Sequence, residues 1–465
     1  MWKKTIKKGV SIIVISMFIL MFFMAYGVFA SSKEEAGTAK DVTEKDIFAE
    51  PAELVFWWYG EDEVPGMTKY IEAVSAKYNE LHPNITVKPE HQPIDAVVPN
   101  FLAAAAAQSG PDIATMWGGL YQLEHVWAGN IEPLSDYVSE EEMSHWPTKG
   151  LSEYDGKVWA SDVFALGFAA AYNVKHFKDA GLDPEKPPAT WEEFMEVSGK
   201  LKAAGHEPFV VGWKGGYQFV ASGGHWLFQY ITVEDLKETV VGIKKFTDRP
   251  GLIDVFEKID EYNRAGYFIE AAMSLDQAQA WPEWRRETGT FAMLAHPLIF
   301  TYMEEVPDTF KIMPSFSKLP GSRYSLPGPP IFVFSQFITP WSENKELAAD
   351  FLVFLHSQES FKAMVDTLGG TLTPVDDRFN PNLIKDPIRR EFAEIMMETL
   401  RHDSVHMDEY LPWAITGENI VAVVEQLILK RVTPEEAAAL VEKNAEEWRT
   451  LNPEYVENYK KWIGR

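Results

Sequence analysis

Side chains suited to stacking and hydrogen bonding crowd the start of one segment. Leu54 to Gly60 reads LVFWWYG, and Glu61, Asp62 and Glu63 follow at once. An aromatic face is apolar yet quadrupolar, so Trp58 and Tyr59 suit the C–H face of a pyranose, while the carboxylates of Glu61 and Asp62 suit its hydroxyls. Similar rings recur in stretches that read as loops: Trp117, Trp213 with Tyr217, Trp226, Trp281 with Trp284, and Trp413. Any one of them has an alternative home in a hydrophobic core. The acids beside Tyr59 favour a ligand-facing turn, because Glu61 and Asp62 cannot follow the aromatics into a core without partners.

Catalytic templates contribute little. There is no phosphate-cradling glycine loop, no nucleophile elbow and no zinc-protease helix motif. Two carboxylates across a cleft would suffice for a glycosidase, and with 69 acids the chain holds many such pairs. His402 and His406, with Asp403 and Asp408 nearby, could share a helix face and bind a metal; a solvated polar stretch accounts for them more simply. Glu61 to Glu63 lack the spacing of a calcium loop. No metal and no cofactor is expected.

The elements that must position these residues follow from periodicity. Leu54 to Tyr59 has the length of a strand. Met67, Tyr70, Ile71, Val74, Tyr78 and Leu81 then recur at three- and four-residue steps, one face of a helix. NITVKP reads as a second strand, AVVPNFLAAAAAQ as a second helix and PDIATMW as a third strand. That alternation implies a parallel sheet with crossover helices, and in such sheets ligands sit beyond the carboxyl ends of the strands, where both LVFWWYG and Trp117 finish. Thr190 with Glu193, and Thr433 with Pro434 and Glu436, read as capping boxes that open helices. Glycine- and proline-rich breaks fall at Gly215-Gly216, Gly223-Gly224, Leu319 to Pro330 and Gly369-Gly370.

Bulk properties narrow the class. The 465 residues suggest two or three domains, and the 46% hydrophobic content can fill their cores. The net charge is −26, with four lysines and no acid in the first 30 residues. An acidic body argues against nucleic acid and against anionic lipid as partners. Lys3, Lys4, Lys7 and Lys8 precede an apolar run from Val10 to Phe29, which reads as a secretory signal ending at Ala30, or as a retained anchor of membrane-spanning length. Either way the body is expected outside the cytoplasm. Cysteine is absent from the sequence, so no disulfide and no lipid-modified cysteine is expected. Residues 31–50 are polar and charged and read as a flexible spacer.

In order and spacing, several segments together resemble the extracellular solute-binding proteins of family 1, the carbohydrate-binding, maltose-binding-protein-like receptors of ABC importers. They are LVFWWYG, SGPDIATMW, NIEPLSDYV, YDGKVWASDVFALGFAAAYNVKHFKDAGLD, PPATWEEFMEVSGKLKAAG, ETGTFAML, KIMPSFSKLPG with ENKELAADFLVFLHSQES, and KRVTPEEAAALVEKNAEEW. The likeness runs from about Glu53 to Trp448. It implies a type II periplasmic-binding-protein-like fold, two α/β lobes joined by a multi-strand hinge. Crossings would fall near Asp162–Leu166, Ile312–Phe316 and Gly369–Pro374, so that 51–163 plus 316–371 form lobe one and 164–315 plus 372–465 form lobe two.

The resemblance also implies function. A monomeric receptor would trap a mono- or oligosaccharide between closing lobes and hand it to ABC permease transmembrane subunits, with no chemical step. Carried over by position, Tyr59, Glu61 and Asp62 contact hydroxyls and Trp117 is a stacking platform. Asp162 stands at the first crossing, where the family shows proline. His296 stands where a glycine-tryptophan pair is usual, and Gly119-Leu120 where the maltose-binding type has Asp-Arg. With Trp58, Trp213, Trp226 and Trp413, these residues form the candidate binding set; the departures argue against maltose as the ligand. A secreted carbohydrate-active enzyme, and a binder of polyamines or peptides, are the alternatives.

Overall fold

The computed structural model describes residues 46–465 apart from 314–315, 327 and 402–405. The leader over 1–30, the spacer up to residue 45, and His402 with Asp403 therefore lie outside the described residues. Among the described residues, no helix is long and apolar enough to cross a membrane. Within the expected spacer, Phe48 stacks on His82 at 3.8 Å and its carbonyl accepts from Asn84 Nδ2 at 3.0 Å.

The chain opens with β1 (Ala52–Trp58), α1 (Met67–Leu81), β2 (Ile85–His91), α2 (Val97–Ala107), β3 (Ile113–Trp117) and α3 (Leu120–Trp127). β1 lies between β2 and β3 and is parallel to both, pairing Leu54 with Val87 and Phe56 with Ile113. The strand–helix alternation read from the sequence is thus the alternation observed. Leu54, Phe56 and Trp58 share the buried face of β1, as the two-residue period of a strand requires. That face meets the helix Lys345–Leu355, where Phe351 lies 5.7 Å from Phe56 and Asp350 accepts from Tyr78 of α1 at 2.6 Å. Asp112, just before β3, accepts from the Val55 N–H at 2.8 Å and from Ser342 Oγ at 2.6 Å, fastening β1 to the centre of the sheet.

A small hairpin, β4 (Glu153–Tyr154) and β5 (Lys157–Val158), leads to β6 (Ser161–Asn173). All 13 residues of β6 are buried, as in a strand covered on both faces. Ser161–Gly167 pair antiparallel with β9 (Ile331–Ile338), and Phe164 and Ala165 also pair with β10 (Thr373–Pro374). Phe168–Tyr172 pair with β7 (Phe291–Ala295), and Ala170–Asn173 with β8 (Phe310–Met313). β9 joins β3, giving the order β10-β6-β9-β3-β1-β2. One strand therefore serves two sheets and changes partners at Gly167-Phe168, which makes β6 a shared beam between two α/β lobes. A Cβ at Gly167 would lie 2.6 Å from Pro329, so the passage admits only glycine without movement.

Phe316 contacts Phe194 at 5.0 Å and Trp226 at 5.5 Å, and the Leu319 N–H donates to Gln229 Oε1 at 2.8 Å. Phe316 and Leu319 are buried among these side chains, and the chain enters β9 at Ile331. On the third passage, Val375 and Asp377 still donate to Val163 and His145 in the first lobe, each at 3.0 Å. Both capping boxes form as read: Glu193 N–H donates to Thr190 Oγ1 and Glu436 N–H to Thr433 Oγ1, each at 3.2 Å, with the glutamates reaching back to the threonine N–H groups.

Candidate functional site

At the carboxyl end of β1 the aromatic run divides. Trp58 is buried against His91 of β2, with ring centroids 4.6 Å apart, because it falls on the core face of the strand with Phe56. Tyr59 is also buried, but its ring meets Trp117 at 4.9 Å and Phe334 of β9 at 5.2 Å. Gly60 then turns the chain at φ +117°, with a Cβ there only 3.1 Å from the Phe334 ring, so both backbone and space demand glycine.

Glu61 turns back onto α1. Its oxygens accept from the Gly66 N–H at 2.9 Å, the Thr68 N–H at 2.6 Å and Thr68 Oγ1 at 2.7 Å. Burial alone would raise its pKa, but these hydrogen bonds hold it below the ordinary value. The carboxylate satisfies N–H groups left open at the start of α1, which is a capping role. Asp62 is exposed. Glu63 is the acid that turns inward: burial, with Asp62 beside it, pushes its pKa up to about 7, and its Oε2 has no hydrogen-bond partner among the described residues.

The turn after β3 lies next to Tyr59. Trp117 is half-buried and its ring stands 5.3 Å from Tyr121 of α3, so Tyr59, Trp117 and Tyr121 form a continuous aromatic cluster, with Tyr59 at its buried end. Across it lies the 3₁₀ turn Met407–Glu409, from late in the chain. Tyr121 donates to Asp408 Oδ2 at 3.1 Å, and the Val333 N–H donates to Glu409 Oε1 at 3.0 Å. The Glu409 backbone passes so close to Gly119 that a Cβ there, at φ +60°, would lie 2.2 Å from its carbonyl oxygen. Where the resemblance leads one to look for an Asp-Arg pair, a glutamate from the far end of the sequence is inserted instead.

The floor of this contact is acidic and buried. Asp162, in β6, accepts from Thr148 Oγ1 at 2.5 Å and from Ser335 of β9, so one oxygen ties β6 to β9 and the other holds the loop before Lys149. Burial pushes its pKa up to about 6 against those hydrogen bonds. Glu409 is driven well above the carboxylate range, by burial first, against the Val333 N–H, with Asp162 and Asp408 adding repulsion. His406 bonds Asp408 through Nδ1 and stacks on Phe332 at 4.0 Å. His406 and Asp408 are both buried, which corrects the expectation of a solvated polar stretch: Phe332 and Tyr121 give them partners that local sequence does not reveal. Among the described residues, no group of three or more histidine or acidic side chains is placed to hold a metal ion.

The remaining candidates do not join this surface through any contact described. Trp213 and Trp226 are buried in the second lobe, where they line a cavity of about 20 Å³ with Phe219, Phe268 and Met293. Trp284 is wholly buried and donates to the Thr290 carbonyl at 2.9 Å. His296 is buried beside the β6 passage, accepting at Nδ1 from the Gly167 N–H at 3.0 Å, and burial pushes its pKa down to about 3. Trp413, four residues beyond Glu409, is 48% exposed. Two cavities of about 370 Å³ are lined by other residues, one around Lys245, Arg249 and Arg323 and one around Tyr154, Lys461 and Trp462.

Sequence reasoning missed Tyr121, Glu409 and the inward turn of Glu63. One signal was available. DEYLPW, Asp408 to Trp413, repeats the mixture of acids and aromatics that singled out LVFWWYGEDE.

Comparison with known proteins bears on this arrangement. A sequence model of bacterial extracellular solute-binding proteins matches residues 73–390. A protein of Brucella abortus described as a putative binding protein is 29% identical over 148 residues, 31% of this chain. That match spans 35% of the Brucella protein's length. The sn-glycerol-3-phosphate-binding periplasmic protein of Salmonella typhimurium is 50% identical over 48 residues, 10% of this chain and 11% of that protein. Among solved structures, a chitin oligosaccharide binding protein superposes with a TM-score of 0.70 at 18% identity, covering 85% of this chain and 98% of that one.

Proposed function

The chain belongs to the bacterial extracellular solute-binding proteins, and from that premise we propose that it is the receptor of an ABC importer, capturing a mono- or oligosaccharide between two closing lobes and delivering it to a membrane permease. The observation that supports a sugar is the aromatic cluster of Tyr59, Trp117 and Tyr121 at the carboxyl ends of β1 and β3, where Tyr121 bonds Asp408. Rings stack on the C–H face of a sugar and carboxyl groups take its hydroxyls, while ligands of α/β sheets gather at these strand ends. The structural likeness to a chitin oligosaccharide binding protein agrees with that chemistry.

In this reading lobe one comprises about 51–163 with the β9–β10 region, and lobe two the β7–β8 region with residues 316–324. Closure about β6 and its neighbouring passages sequesters the solute, and ligand shifts the equilibrium by its preference for the closed form. No reaction is required of the protein. It acts outside the cytoplasm, behind its lysine-led apolar leader.

A thermal-shift screen of mono- and oligosaccharides, with glycerol 3-phosphate included, tests the proposal. A sugar at 100 times its dissociation constant is expected to stabilise the protein by about 2.7 kcal/mol. Stabilisation by glycerol 3-phosphate alone would replace the sugar with a phosphate ester, although Asp408 beside Tyr121 opposes an anion. Release of shortened oligosaccharides during incubation would replace the receptor with an enzyme.

A further inference from the structure

The last helix of the chain, Pro453–Trp462, touches both of the proposed lobes. It lies beyond Trp448, where the likeness to the receptor family ends. Tyr455, Asn458 and Lys461, at three-residue steps, line one flank of it, and that flank meets the first lobe. Tyr455 donates to Glu124 Oε1 of α3 at 2.6 Å, and its ring meets that of Trp127 edge-on at 4.9 Å. Asn458 Oδ1 accepts from Tyr154 Oη of the β4–β5 hairpin at 3.1 Å, and Lys461 pairs with Asp155 at 2.8 Å. Elsewhere the helix holds to the second lobe. Lys237, in the helix Val233–Val240, stands over the Trp462 ring at 5.2 Å, and Arg465 pairs with Glu234 and Glu238 of that helix, each at 2.8 Å.

The two attachments differ in kind. Glu124 is exposed, and Lys461 and Asp155 leave 51% and 62% of their side chains in water, so these bonds break cheaply. A cavity of about 370 Å³, lined by Glu153, Tyr154, Asp155, Lys461 and Trp462, opens between hairpin and helix. On the other side Tyr459 is wholly buried and donates to the Tyr410 carbonyl at 2.7 Å. The chain itself adds a tether: helix Pro434–Leu451 leads directly into this one at Asn452, and its Arg449 donates to the Thr239 carbonyl at 3.0 Å. Glu124 and Trp127 stand about one and two turns along α3 from Tyr121, so the weak attachment lies on the side of the aromatic cluster.

We propose that this helix is a clasp carried by the second lobe, and that its bonds to α3 and the hairpin set how much of the unliganded protein is closed. When the lobes part, Tyr455, Asn458 and Lys461 let go of the first lobe. Solute affinity then depends on side chains that never touch the solute, because binding is weakened by whatever fraction of the protein stands open. This rests on the closing-lobe part of the proposed function and not on the sugar.

The sequence has no cysteine, so Glu72→Cys on α1 and Glu192→Cys on the helix Trp191–Ala203 can carry one spin label on each lobe. Pulsed electron-spin distance measurement on the unliganded protein is expected to show a shorter main distance and a longer minor one. Tyr455→Phe, Asn458→Ala and Lys461→Ala together should raise the longer share at least about threefold while thermal melts stay cooperative. The set on the first lobe, Glu124→Gln, Tyr154→Phe and Asp155→Asn, should do the same and serves if the first set does not fold. An unchanged distribution, or a shift towards the shorter distance, overturns the clasp. If the distance nonetheless responds to a sugar that raises the melting temperature, the closing lobes stand without it; if it responds to no such sugar and to neither set, both fall.

Discussion

Tyr59, Trp117 and Tyr121 pack together, and Tyr121 in turn bonds Asp408 nearly 300 positions further along the chain, so the roles of these residues diverge sharply from those of their immediate neighbours. Trp58 and Tyr59 are adjacent, yet only Tyr59 reaches the aromatic surface, because successive residues at a strand end point to opposite sides. Trp117→Ala is expected to weaken sugar binding about tenfold, measured by titration calorimetry, with a modest change in melting temperature. Trp58→Ala should do the reverse, destabilising the fold by about 3–5 kcal/mol in denaturant melts because it leaves a cavity against His91. Asp162 carries a pH signature. Its folded pKa is raised from 3.8 to about 6, so the native state holds a proton that the unfolded chain has released. The contribution of Asp162 alone should therefore fall as pH rises from about 4 to about 6, so the stability difference between wild type and Asp162→Asn should shrink across that interval in urea titrations.

At the scale of elements, the helix starts are the most legible features, because a capping box is local. Thr190 with Glu193 and Thr433 with Glu436 were readable from three-residue spacing and form as expected. The start of α1 was not readable, because its cap comes from Glu61, five and seven residues before the groups it serves, across the Gly66 turn at φ +97°. Glu61→Ala is expected to cost about 1–2 kcal/mol of stability, seen in chemical denaturation, and little ligand affinity. Its pKa is held below the ordinary 4.5, so the stability it contributes is present above that value and lost as pH falls below it. β6 shows the opposite limit. The resemblance placed only a crossing near Asp162–Leu166, and it is the pairing with β9 on one half and with β7 and β8 on the other that makes the 13-residue strand a link between them.

For the whole molecule, the passage between lobes is lined by neutral histidines. His296 accepts from Gly167, His225 bonds the Phe168 carbonyl, and burial pushes their pKa values down to about 3 and about 4. His125 and His176 are likewise held near 4 by burial. A depressed histidine pKa means that the unfolded chain binds the proton first, so this stability is whole above about pH 6.5 and drains away as pH falls towards 4. The melting temperature is expected to drop progressively across that interval, and a flat profile would remove the histidines from the account. Read alone, the chain yields the strand–helix alternation, the acidic body, the lysine-led apolar run over the first 30 residues and the wealth of aromatic and acidic side chains, because composition, period and capping act over a few residues. Which aromatics pack beside Tyr59 and which acid caps α1 were settled only by folding. The first outcome depends on the join of β1, β3 and β9 and on the contact between Tyr121 and Asp408, segments that no local rule connects.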